Sequence, residues 1–414
     1  MILSQMDSGE AMSKHFQVII AGGGITGLSA AWHLAQEGAT SILLATGAET
    51  PSSSVAPGWI SGGQRDNFTR IAQAHQLDFA ADLWRFGDHA FDLTKEWAQR
   101  HKVPLASSRR LRLIVTAEEL TEARLAVAAM KKAGIKSDLL EGKNLSASIW
   151  SDGPTPRVLA IQDDGNRGGW IDAKAFHARL FKEVAASRKV TVTESVVKKI
   201  SGYGEEAIRI TLENEGHENS KGKIETVLTD ACIVACHLQT GDLIPELSSA
   251  LIPVADQWLI AIDGADGTGG WNQPGIAWSV FHNHEWGVSL PGGNLLLGGG
   301  RILRKWAGFE ATSAEVEPKI TDYILAQHKK TFPGRHKPES AAAGRDCHPC
   351  DELPLIGPMF GEGRILVATG FMGQGLTLGF AAGQCLASLL MTGKCPELPR
   401  RLWPERLRSL SEDR

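Results

Sequence analysis

Apolar residues recur along this chain in short runs that end in glycine and give way to longer stretches of helical spacing. Residues 16–21 (FQVIIA) form a β-branched apolar run that stops at three glycines, which predicts a buried strand. Ile25, Leu28, Trp32 and Ala35 then share one helical face until Gly38, and SILLA at 41–45 makes a second apolar run. The order predicts a β-α-β unit. Helical patterning dominates from 68 to 135, interrupted by the strand-like LRLIVT at 111–116, and helix is expected again at 171–186. Strands are expected at VTVTESV from 190, AIRITLE from 207, ETVLTD from 225 and CIVAC from 232, with an unstructured polar loop at 214–223. Between 253 and 300, AWSVFH and EWGVSL flank Asn283-His284, and the turn at Pro291-Gly292-Gly293-Asn294 leads into LLLGGG, the pattern of a separate antiparallel sheet. A helix near 313–331, a loop at 342–358, the strand RILVAT at 364–369 and a helix from about 374 to 391 follow. The end of the chain thus repeats the strand, glycines, helix order of its start.

At 414 residues the chain exceeds what one core usually spans, so two domains interleaved in sequence are expected. Its 43% hydrophobic and 22% charged residues exclude wholesale disorder. A net charge of −4 gives no basic field for nucleic acid. Six cysteines are too few for a disulfide scaffold, and Cys232 and Cys236, four apart, are expected on one face of a strand. The N-terminal MILSQMDSGEAMSKHFQ lacks a basic segment followed by an apolar one, and the apolar stretch from Phe380 to Met391 is too short to span a bilayer, so a soluble cytoplasmic protein is expected. Glycine is in excess, with 45 residues where an average chain of this length has about 7%. The chemistry should therefore sit in glycine loops, where backbone turns sharply or approaches a ligand.

Gly22, Gly24 and Gly27 form a GxGxxG directly after a strand and directly before a helix. In that setting the glycines permit a tight turn, close approach of a pyrophosphate and close helix–strand packing, while the helix N-terminus offers N–H groups to the phosphates. The pattern alone leaves NAD and FAD open. An acidic residue normally ends the second strand and accepts hydrogen bonds from ribose; Ala45 stands there, so a weaker hold on the adenosine half is expected, with Thr46 and Glu49 nearby.

The stretch AAGRDCHPCDELPLIGP at 342–358, followed by RILVATGFMGQGLTLGFAAGQCLASLL at 364–390, resembles the closing signature of the D-amino-acid oxidase-like (DAO) superfamily of FAD-dependent amine oxidoreductases. The glycine oxidase, sarcosine oxidase and γ-glutamylputrescine oxidase branches look nearest. GGGITGLSAAWHLA, the GGWIDAKAF at 168–176, VTVTESVVKKI and the CIVAC strand spread the resemblance over most of the chain.

The resemblance implies an α/β fold, in which a Rossmann-like FAD-binding domain (14–95, 165–245 and 338–400) interleaves with an α+β substrate domain (96–164 and 246–337) carrying the antiparallel sheet. Residues 1–13 and 401–414 would be terminal extensions. It places the FAD pyrophosphate on Gly22, Gly24 and Gly27, the pyrophosphate and flavin along Ser53, Ser54 and Gly58, and adenine at the Val197 main chain. Ala235 and Cys236 stand where the family usually has alanine-glycine beside the cofactor, and Phe371 stands where a histidine is frequent. Gly370, Gly373, Gln374, Gly375, Leu376 and Thr377 would run beside the flavin ring. The cofactor would be non-covalent, because the flavin-linking cysteine of the monomeric sarcosine oxidases falls near Gly344. The implied reaction is oxidation of the C–N bond of an amino acid or secondary amine by hydride transfer to flavin. Arg345 would grip a substrate carboxylate, although the segment from Arg345 to Pro354 is one residue longer than the glycine-oxidase pattern.

The electron acceptor (oxygen, a quinone or a protein) and assembly into homo-oligomers stay open. So does a rival class, a flavin- or nucleotide-binding protein or partner subunit that no longer turns over, which Ala45 keeps alive. The closing motif argues against an NAD-dependent dehydrogenase. No metal site is expected: Cys347-His348-Pro349-Cys350 is a lone CxxC in a loop, and His282-Asn283-His284-Glu285 reads as a surface turn. Trp59, Trp258, Trp278 and Trp286 are expected in core packing, the alternative being an aromatic cage for an amine.

Overall fold

The computed structural model describes residues 14–47, 49–145, 157–202, 206–214, 222–263, 275–332 and 336–408. The chain opens with β1 (His15–Ala21), α1 (Ile25–Glu37), β2 (Ile42–Ala45) and the short β3 (Trp59–Ser61). Then come α2 (Phe68–His75), α3 (Leu77–Arg100), β4 (Leu105–Ile114), α4 (Ala117–Lys132), β5 (Asp138–Glu141), β6 (Ala160–Asp163) and β7 (Gly168–Ile171). The middle carries α5 (Ala173–Ala185), β8 (Val190–Thr193), β9 (Val196–Ser201), β10 (Ile208–Glu213), β11 (Ile224–Val234) and α6 (Thr240–Leu243). The last part runs through β12 (Leu251–Asp263), β13 (Ile276–Val280), β14 (Glu285–Ser289), β15 (Leu295–Gly299), α7 (Pro318–Thr331), β16 (His336–Pro349), β17 (Leu355–Met359), β18 (Glu362–Thr369) and α8 (Leu378–Thr392).

Two sheets result. The first runs β17-β18-β11-β1-β2-β8, parallel from β18 to β8, with β17 antiparallel at its edge and β9 and β10 attached to β11. Both faces of the parallel strands are covered, which is why β1 and β2 read as unbroken apolar runs. α1 and α8 pack on one face so closely that a Cβ on Gly383 would lie 2.6 Å from Ser29 Cβ. The second sheet runs β16-β12-β15-β14-β13-β4-β6-β5, with β7 pairing both β4 and β3. It is antiparallel except for the parallel pair β4–β13.

Several expectations change. The loop expected at 342–358 is strand as far as Pro349, because His336–Pro349 pairs along the whole of β12. The strands expected at 225 and 232 are one, β11: Asp230 does not break it, since the pleat turns that residue to solvent. VTVTESV is two strands, β8 joining β2 and β9 joining β10. β3, β7 and residues 336–349 lie in or beside the segments expected in the cofactor domain, yet they pair into the second sheet. Residues 401–408, expected as an extension, pack onto the body: Leu402 and Leu407 are buried, and Arg406 donates to both carboxylate oxygens of Asp351 at 2.6 and 3.1 Å. Residues 1–13, 409–414 and most of the polar loop at 214–223 lie outside the described residues. Among the described residues no helix is long and apolar enough to cross a membrane.

Candidate active site

β1 has β2 on one side and β11 on the other, so the chain departs from the two central strands in opposite directions and a crevice opens at their carboxyl ends. Gly22 follows β1 with φ +114°, and a Cβ there would collide with the Ala235 carbonyl just beyond β11. A Cβ on Gly27 would overlap the Gly22 carbonyl. Gly24 caps α1 without a side-chain hydrogen bond, and the Ile25 N–H donates to Ser53 Oγ at 3.0 Å. The first turn of α1 lines the crevice and presents the positive end of the helix dipole to it.

From this crevice a cavity of about 910 Å³ reaches the second sheet. It lies near the upper end of the range for ligand pockets, roughly 300–1,000 Å³. Every cofactor residue expected from the sequence lines it except Gly27, Ser54 and Gly370. Gly27 sits beneath Gly22, Ser54 Oγ donates to the Pro51 carbonyl at 2.8 Å, and Gly370 packs on the Pro349 ring. The glycine cradle, the helix N-terminus and the length of the cavity fit a dinucleotide.

At one end lie Ala45, Thr46, Glu49, Val197 and Lys198. The Thr46 hydroxyl donates to the carbonyls of Gly47 (3.0 Å) and Thr193 (3.2 Å), which leaves it as an acceptor only. Midway, Cys236 lies past the end of β11, so the shared strand face expected for it and Cys232 does not form: Cys232 is core, and Cys236 faces the cavity. Burial pushes the Cys236 thiol up to about 12, which keeps it neutral and unreactive.

The far end is built by the segment 62–66 against the 370–377 loop. Arg110 Nη1 donates to the Gly62 carbonyl at 2.7 Å, and Arg112 Nη2 donates to the carbonyls of Gln64 (3.0 Å), Arg65 (2.9 Å) and Asp66 (2.6 Å). Asn283 Nδ2 donates to the Arg65 carbonyl as well. Burial lowers the Arg112 pKa to about 10, with the Arg110 charge adding to the effect, so it stays protonated at neutral pH. Thus fixed, Arg65 donates its N–H to Gln374 Oε1 (3.0 Å) and its Nη1 to the Met372 carbonyl (3.1 Å), and it lines the cavity. Arg65, Arg110, Asp256 and Asn283 are site residues that sequence reasoning missed; the Gly62-Gly63 pair ahead of Arg65 was the available signal.

The wall opposite is the β12–β16 ribbon. Its register sets Asp256 opposite Gly344 and Val254 opposite Asp346, so the pleat gathers Asp256, Trp258, Asp346 and His348 on one face. Arg345, exposed at the cavity's border, falls on the other face with Ala255 and Cys347. Cys347 is buried and Cys350 exposed, so the CxxC brings no thiol pair together. Burial alone would raise the Asp346 acid, but the imidazoles of His237 (3.6 Å) and His348 (3.4 Å) outweigh it and hold the carboxyl well below the usual range. Trp59, Trp258 and Trp286 line the cavity, with the Trp59 and Trp286 rings 4.9 Å apart, whereas Trp278 is core. The 282–285 turn is only partly at the surface: His284 is exposed, whereas Asn283 is buried and Glu285 is buried against Arg157 at 3.3 Å.

The chain matches the FAD dependent oxidoreductase (DAO) family over residues 17–389 and belongs to it. The chain is therefore an FAD-dependent oxidoreductase. No curated protein matches it. Among solved structures it is similar to L-proline dehydrogenase from P. horikoshii (TM-score 0.74, 15% identity, covering 96% of this chain and 99% of that one). It is also similar to L-amino acid deaminase from Proteus myxofaciens in complex with anthranilate (0.72, 15%, 96% and 94%) and to glycine oxidase from Geobacillus kaustophilus (0.68, 16%, 94% and 97%). At such identities the likeness shows the fold.

Proposed function

We propose that this protein oxidises the carbon–nitrogen bond of an amino acid or carboxylate-bearing secondary amine. FAD supplies a hydride acceptor for the carbon that carries the nitrogen. Gly22, Gly24 and the first turn of α1 would hold its pyrophosphate, with Ser53 and Gly58 along it and Val197 at the adenine. The 373–377 turn ahead of α8 would meet the pyrimidine end of the ring, where the positive end of the α8 dipole would balance negative charge. The two sheets correspond to a cofactor domain and a substrate domain, and the cofactor is non-covalent, since no cysteine stands at the flavin-linking place near Gly344.

The carboxylate clamp is Arg65 rather than Arg345. Arg65 is anchored through its main chain by Arg112, Asn283 and Gln374, and its guanidinium is the planar, two-point partner a carboxylate prefers. The indoles of Trp59, Trp258 and Trp286 keep water from the cavity wall beside the β12–β16 ribbon. The substrate nitrogen would bind neutral, its proton left with bulk water, and the imine product would hydrolyse in water, so the protein contributes position and electrostatics. The observation that carries this reading is one cavity joining the glycine crevice to the Arg65 end. Neighbours named for proline, glycine and other amino acids support it.

The test is anaerobic bleaching of the flavin absorbance by amino acids, N-methyl amino acids and their decarboxylated counterparts. Carboxylated compounds are expected to bleach it, with Arg65→Lys raising KM about tenfold or more and Arg345→Lys changing it little. Equal bleaching by simple amines would remove the carboxylate clamp.

A further inference from the structure

Two aspartates and a histidine crowd one spot on the cavity wall. Ligand atoms of Asp256, Asp346 and His348 all lie within 4.8 Å of one another. Asp256 accepts no side-chain hydrogen bond and forms no ion pair among the described residues. His348 is only 7% exposed, and its Nε2 faces Asp346 Oδ2 at 3.4 Å, beyond a well-formed hydrogen bond; neither atom has another partner. Arg301 feels the charge of both carboxylates but comes within ion-pair distance of neither among the described residues. Half-buried on the cavity wall, Asp256 and Asp346 Oδ2 are unfilled acceptors that suit a positively charged ligand.

The surroundings say which kind. Trp258 follows Asp256 on the same face of β12, and Trp286 and Trp59 complete an indole-lined wall. Indole faces add nothing to the inner shell of a metal ion but attract ammonium and guanidinium groups. A Cβ built on Gly373 would lie 3.4 Å from Arg65 Nη1 and 3.6 Å from Asp346 Oδ2, so the guanidinium and the carboxylate stand close together and a dibasic chain folds back to reach both. An anion beside the reacting nitrogen would keep it protonated and withhold the hydride, so the carboxylates suit a group that does not react.

We propose that Asp256 and Asp346, with the indoles of Trp258 and Trp286, bind a second, non-reacting cation, so that the substrate is a dibasic amino acid with an ammonium or guanidinium at its far end. The substrate part of this inference rests on the proposed oxidation; the cation site does not.

Arginine and citrulline separate the two questions, since they share a shape and differ in charge. With the FAD-loaded protein and both enantiomers, KM for arginine is expected at least about tenfold below that for citrulline. Asp256→Asn should collapse the ratio to less than about threefold. Citrulline performing as well as arginine in the wild-type protein overturns the proposal, and that comparison needs no variant to fold. If neither compound bleaches the flavin, the oxidation reading fails, and the cation site is read from tryptophan fluorescence with agmatine. A saturable quench that citrulline does not reproduce supports the site. Absence of such a quench, or displacement of agmatine by micromolar Mn²⁺ or Zn²⁺, overturns it in favour of an empty wall or a metal site.

Discussion

Gln374 Oε1 accepts the main-chain N–H of Arg65 at 3.0 Å although 309 positions separate the two residues. The turn that leads into α8 therefore also sets the position of the arginine proposed to hold the substrate. Gln374→Leu keeps the size and removes the acceptor. A lost hydrogen bond of about 1 kcal/mol is expected to raise KM for a carboxylated substrate about fivefold, with less effect on kcat. In steady-state kinetics the effect should largely vanish in an Arg65→Lys background; full additivity would show that the two residues act separately.

Ala45 leaves the ribose end of the cavity without an acid, and the Thr46 proton is engaged by backbone carbonyls. Ala45→Glu should add one or two charge-assisted hydrogen bonds, each of about 1.5–3 kcal/mol. FAD release, followed by the rise in flavin fluorescence, is expected to slow about tenfold or more. Release as fast as from the parent would mean that other groups hold the ribose.

Stability should rise with pH between about 4 and 6.5. Burial lowers His33 to about 4, opposed by its hydrogen bond to the Ser29 carbonyl; burial and the nearby His336 lower His328 to about 3. In the unfolded chain both titrate near 6.5, so below that pH the unfolded state takes up protons that the folded state refuses. Their contribution is complete above pH 6.5 and is lost as pH falls toward the folded values, at about 1.4 kcal/mol per unit for each group. Urea unfolding at pH 7.5 and pH 5.0 should differ by roughly 4 kcal/mol from these two residues, and His33→Gln should remove about half of the difference. A flat profile would contradict the burial of both rings.

Gly27 and Gly363 offer a matched pair. A Cβ on Gly27 would overlap the Gly22 carbonyl, whereas one on Gly363 in β18 would meet nothing within 4 Å. Gly27→Ala is expected to cost about 1–3 kcal/mol and to lower the FAD copurifying with the protein, while Gly363→Ala is near neutral. The flavin-to-protein absorbance ratio and the thermal midpoint read both effects.

The strand, glycines and helix at each end of the chain were legible because parallel strands covered on both faces leave continuous apolar runs, and because Gly22 and Gly370 mark where those runs stop. β16 was not, since AAAGRDC carries no branched apolar alternation and lies at the sheet's edge, where side chains are under less demand. β11 looked divided because Thr229-Asp230 is polar, yet Thr229 is buried and Asp230 exposed, as the pleat requires. Arg65 was illegible for a different reason. Its placement comes from Arg112, Asn283, Met372 and Gln374, contacts that no local pattern encodes. Asp256 was visible as a charge within an apolar strand, but its companion Asp346 is brought beside it only by the pairing of β12 with β16.

That pairing makes strand length a heritable control of charge. Side chains alternate along β16, so one residue more or less ahead of Asp346 would turn its carboxylate away from the cavity and bring Arg345 in. The wall would change sign without the replacement of a single amino acid. An edge strand absorbs such a slip more readily than a central one. Relatives that differ from this protein by a single-residue insertion or deletion here are expected to prefer ligands of opposite charge, an exchange of specificity reached in one genetic step.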